Sequence, residues 1–145
     1  MSRTHATLIS ALSGLVLAGL AASAPTQAGA EESLAYDVQV SDVTAKVGEP
    51  AVIRAVLTPH DGYRILKHYT NRVSKLSSFD DGVAFERQMV PATLDGETLV
   101  FEVPVHATKA GKHPINGIIR VGYIHGTDDM SMVSLRLIAN VIGAE

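Results

Sequence analysis

Hydrophobic positions in this chain recur at every second residue. Leu99, Phe101, Val103 and Val105 alternate with Val100, Glu102, Pro104 and His106, which is the period of a strand with one face in a core and the other mostly wet. Ala110-Gly111-Lys112 breaks the pattern, and a second run follows in which Ile115, Ile119, Val121 and Tyr123 share a parity. The two runs predict long strands joined by a turn-rich connection near the middle of a sheet. A third run, Met130 to Val141, sets Val133, Leu135, Leu137, Ala139 and Val141 on one side and Met132, Ser134, Arg136 and Asn140 on the other.

The segments before Leu99 are shorter but read the same way. After a loose lead-in from Glu31 to Ala35, Tyr36, Val38 and Val40 alternate as a short first strand. Lys46 to Pro50 is a turn, since Gly48 tolerates positive φ and Pro50 cannot donate to a ladder. Ala51 to Thr58 is a strand with Ile53, Ala55 and Leu57 inward, and Thr58 to Tyr63 is a turn. Arg64 to Asn71 has an ambiguous period and is expected to hold a short strand and an irregular segment. Val73 to Ser78 is a strand, and Asp80-Asp81-Gly82 is a hairpin-type turn. Val83 to Val90 is read as the returning strand, with Val83, Phe85, Arg87 and Met89 on one parity, and Pro91 to Glu97 as another turn.

Turn signals about every ten residues, without a long helical pattern, predict an all-β chain: an antiparallel immunoglobulin-like β-sandwich of about seven to nine strands. A small barrel is the alternative. With 145 residues, 46% of them hydrophobic, the chain fits one domain with a packed core.

The first thirty residues do not fit that core. Arg3 and His5 open a short basic start, Ala6 to Ala22 is apolar and built of small residues, and Ala28-Gly29-Ala30 offers a cleavage site. This is the form of a signal peptide over residues 1–30, leaving a domain at 31–145 that is exported to the periplasm with no transmembrane span. An uncleaved membrane anchor is the competing reading. Without Arg3 the domain has a formal charge of −4 and no basic run, which argues against nucleic acid as a partner. The chain has no cysteine. A stabilising disulfide, a redox dithiol, thiolate metal sites and CxxCH haem attachment are therefore excluded.

The run Leu57 to Tyr69, LTPHDGYRILKHY, followed by FEVPVHATKAGKHPINGIIRVGY, resembles the immunoglobulin-like N-terminal periplasmic domain of the thiol:disulfide interchange protein (the DsbD N-terminal, DsbC-like domain family). In that family the last hairpin holds a redox cysteine pair that passes electrons to periplasmic partners. The corresponding hairpin here, Gly122 to Met132, contains none. Thiol exchange needs a thiolate to attack a sulfur. The resemblance therefore implies the scaffold without the activity: a non-catalytic module that binds an envelope protein or assists an envelope redox system, with no cofactor.

Candidate site residues gather on that hairpin. Tyr123, His125, Asp128 and Asp129, with Tyr63 and Tyr69 as an aromatic patch at the same end if the family topology holds, are the expected partner-binding set. The alternative is a copper site on His125, Met130 and Met132, because imidazole and thioether suit that metal. The plain reading of the same hairpin is turn chemistry with methionines covering an apolar edge. His106 and His113 are read as surface histidines. His60-Asp61 could pair as a base and its orienter, but no nucleophile accompanies them.

Overall fold

The computed structural model describes residues 31–145, with side chains from Ser33 onward; the predicted signal peptide, 1–30, lies outside the described residues. Twelve strands follow in chain order: β1 (Glu31–Glu32), β2 (Tyr36–Val40), β3 (Val43–Lys46), β4 (Pro50–Pro59), β5 (Tyr63–Ile65), β6 (Arg72–Ser78), β7 (Val83–Phe85), β8 (Val90–Pro91), β9 (Thr93–Asp95), β10 (Thr98–Ala107), β11 (Gly111–His125) and β12 (Asp129–Ala144). Among the described residues there is no helix, hence none long and apolar enough to cross a membrane.

The strands form two packed sheets. One is ordered β1-β2-β4-β10-β7, with β9 also on β10; the other is β3-β12-β11-β6-β8, with β5 on the end of β11. With β2, β4, β6, β7, β10, β11 and β12 as strands A to G, the sheets are A-B-E-D and G-F-C, the order of the immunoglobulin constant type. The segments outnumber the seven to nine expected because several of the additional ones are pieces of two to four residues. One pairing is parallel: Val43 to Lys46 runs beside Val141 to Ala144. It arises where the chain crosses between sheets after β2. Asp42 marks the crossing and accepts hydrogen bonds from the backbone N–H and the Nδ2 of Asn140, at 2.8 and 2.9 Å.

The core lies between the inward parities of both sheets. Ile53, Ala55, Leu57, Leu99, Phe101, Val103 and Val105 face Ile115, Ile119, Val121, Leu137, Ala139 and Val141, all buried. Val100, on the outward parity, is buried as well; its cross-strand neighbours Val56 and Thr93 flank it on both sides.

Three expectations change. The β10 and β11 strands are each central, but in opposite sheets, because their connection turns a corner of the sandwich instead of making a hairpin. Asp80-Asp81-Gly82 likewise carries the chain from β6 in one sheet to β7 in the other. The strand read from Val83 to Val90 ends at Phe85; Arg87 and Met89 are exposed, and Val90 pairs with Val73 in the second sheet. An arginine on the inward parity had no charged partner to take into a core, so the ladder gives way before it.

Candidate functional site

The β5 strand fixes one end of the sandwich. It pairs with the end of β11 so that Tyr63 lies opposite His125, Arg64 opposite Ile124 and Ile65 opposite Tyr123. The Tyr63 and His125 rings stack with centroids 4.4 Å apart, and Tyr63 meets Tyr123 edge-on at 5.8 Å. From the other sheet, Tyr36 reaches Tyr123 at 6.2 Å, so the cluster closes the core at this end. Arg64 donates from Nη2 to the Gly126 carbonyl at 3.1 Å, and the Gly126 N–H donates to Gly62 at 3.1 Å. The β11–β12 turn is thereby tied to the β4–β5 turn.

Beside this cluster runs a groove of about 340 Å³ whose lining includes Arg64, Lys67, His68, Glu97, Leu94 and Ile124. The β9–β10 turn at Gly96-Glu97 forms one wall and the segment after β5 the other. Arg64, Lys67 and His68 face a single carboxylate, Glu97, in a chain whose net charge is negative. Ile65 and Leu66 join Leu94 and Ile124 as the apolar lining of the groove.

Of the expected partner-binding residues, Tyr63, Tyr123 and His125 come together. Asp128 and Asp129 are exposed on the same turn, with Asp129 paired to His125 across the ladder. Tyr69 is elsewhere: its ring covers Gly122 on the outer face of the sheet, where an added Cβ would lie 3.0 Å from it. Ladder partners project to one side of a sheet and neighbours along a strand to opposite sides. Met130 and Met132, paired with Ile124 and Gly122, therefore face away from His125, and the three do not converge. Among the described residues no cluster of three His, Asp or Glu side chains could hold a metal.

The histidines differ from their sequence reading in two places. His60 bonds to Asp37 at 3.0 Å and to the Leu34 carbonyl at 3.3 Å, not to Asp61. The hydrogen bond to Asp37 raises its pKa. His106 meets Glu86 at 2.9 Å on the surface. His113, expected on the surface, is only 8% exposed. It shares the inward parity of Ile115, and that was the available signal; the following proline drew it to a turn. Its Nδ1 faces Asp80 at 2.9 Å and its Nε2 faces the Lys109 and Ala110 carbonyls at 3.0 and 3.1 Å. Both nitrogens thus meet acceptors, which favours the doubly protonated ring. The ring lies where a Cβ on Gly82 would be, so glycine is required beneath it.

The hydrogen bond to Asp80 raises the His113 pKa, and the reciprocal bond from His113 lowers that of Asp80. A raised histidine contributes fully below its ordinary value of 6.5 and loses that contribution as pH climbs through the raised one; a lowered aspartate contributes above 3.8 and loses it as pH falls through the lowered one. The pair is therefore at full strength between those ordinary values. Thermal melts should show the Tm falling as pH rises from 6 into the alkaline range. His113→Gln should lower the Tm at pH 6 and flatten that decline, leaving the His60 contribution. Parallel Tm–pH curves for the two proteins would refute the assignment.

No family model and no curated protein matches the sequence. Among solved structures, domains 4 and 5 of the S-layer protein SbsC align with 79% of this chain at 16% identity and a TM-score of 0.35. The chain spans 53% of that one.

Proposed function

We propose that the domain is an exported, non-catalytic binding module that receives an envelope protein at the end formed by β5, the β9–β10 turn and the β11–β12 turn. The observation that carries this reading is the groove itself, in which Arg64, Lys67 and His68 stand among the apolar Ile65, Leu66, Leu94 and Ile124, next along the strands to the stacked Tyr63–His125 pair. Such a surface suits an extended segment of mixed acidic and apolar side chains. Loops of an immunoglobulin-like sandwich that cluster at one end are a common place for recognition. The resemblance to the disulfide-reductase domain suggests that the partner belongs to an envelope redox system, in which a chain without thiols could only dock or assist.

A photo-crosslinking residue placed at Lys67 should trap one discrete envelope protein, and the same residue at Lys112, at the far end of β11, should not. Arg64→Glu, or His125→Ala with Asp129→Ala, should abolish the adduct with little change in the melt. Equal trapping from both positions would overturn the proposed site. So would a one-to-one copper or zinc complex, detected by calorimetry and lost on His125→Ala.

A further inference from the structure

Most edges of the two sheets are short. The β1 and β8 strands have two residues each, β5, β7 and β9 three, and β3 four. The longest open stretch lies on β12. The β3 strand covers it only from Val141 to Ala144, so among the described residues the stretch from Asp129 to Asn140 has no strand on that side. It reads DMSMVSLRLIAN, without the proline or lysine that often blunts an exposed edge, Asp129 and Arg136 being its only charged residues. Three of its side chains are large, apolar and exposed on the outer face: Met130 at 65%, Met132 at 70% and Ile138 at 38%.

The direction of its hydrogen-bonding groups follows from one contact. The Asn140 N–H donates to Asp42 and so points to the open side. With the two-residue period, Ile138, Arg136, Ser134, Met132 and Met130 present their backbone groups there too. A strand docking antiparallel must pair these even positions. We propose that its occupant is the same edge of a second copy, with Ser134 opposite Ser134 on a two-fold axis. That register sets Met130 against Ile138 of the other copy and lays the Arg136 stem over Met132, so the exposed apolar side chains cover one another. Moving the axis to Leu135 would need the Asn140 amide, already held by Asp42. Moving it to Arg136 would set two guanidinium groups against each other. The contact is self-complementary and closes after two chains, joining the second sheets of both copies into one.

The absence of cysteine gives a clean test. Hydrogen-bonded antiparallel partners have Cα atoms about 5.5 Å apart, within the roughly 4.4–6.8 Å that a disulfide spans. Under mild oxidation, Ser134→Cys should yield a covalent dimer, whereas Thr58→Cys, on the outer face of β4, should stay mostly monomeric. Sedimentation of the unmodified domain should show a concentration-dependent dimer, weakened at least tenfold by Ile138→Glu. A peptide of residues 129–140 should compete with dimer formation and its scrambled version should not. A strictly monomeric domain, equal oxidation of the two thiol variants, or equal competition by the scrambled peptide would each overturn the proposal, the last by showing an edge open to any strand.

Discussion

Phe101→Ala is expected to cost about 3–5 kcal/mol in denaturant melts, the range for removing a large buried aromatic. Phe101 is fully buried near the middle of β10, with Ala55 as its ladder partner on β4. Alanine beside alanine at the centre of a two-layer core leaves a cavity that neither sheet can close without disturbing its own register. The neighbouring Glu102→Ala, on the exposed face, should change stability by no more than about 0.5 kcal/mol. Equal costs at the two positions would mean that β10 presents its other face to the core.

The second large effect is expected at Gly143. An added Cβ there would lie 2.1 Å from the Lys109 carbonyl oxygen and 3.3 Å from the Ala107 Cβ. Backbone cannot rotate aside as a side-chain tip can. Nor can β12 withdraw, because Gly143 is paired to Gly111 on one side and Ala45 on the other. Gly143→Ala should cost about 3 kcal/mol, the upper part of the usual range for overpacking. Gly48→Ala is the comparison: its φ is +85° with nothing within 4 Å, so only the backbone preference is lost, about 1 kcal/mol. Denaturation of both variants at one pH tests the difference. A smaller loss at Gly143 than at Gly48 would show that the Ala107–Gly111 corner yields more easily than its pairing implies.

Strands with long alternation were legible because parity is local: Leu99 to Val105, Ile53 to Leu57 and Leu135 to Val141 each report a buried face without any knowledge of their neighbours. Parity does not say which sheet a strand joins. For that reason the Asp80-Asp81-Gly82 turn read as a hairpin, although it crosses the sandwich. The pairing of Tyr63, Tyr123 and His125 could be anticipated from a shared end of the fold, whereas Tyr69 lies in the irregular segment after β5 and only the three-dimensional path shows that it covers Gly122. The groove was hidden for a similar reason. Lys67 and His68 sit where no period holds, and Leu94 and Glu97 reach them from β9 and the turn after it, distant in sequence. His113 had the inward parity, but its partner Asp80 lies 33 residues away.

The parallel ladder of β3 with the end of β12 joins positions 43–46 to positions 141–144, and so closes a loop of nearly the whole domain. Such a pairing must meet the entropy of loop closure before its hydrogen bonds form, and topologies rich in distant contacts fold slowly. A chain stopped at residue 140 would have β3 but nothing beside it, so the second sheet can be completed only when the last residues are present. Completion of that sheet is in this sense deferred until positions 141–144 can meet positions 43–46, about a hundred residues earlier in the chain.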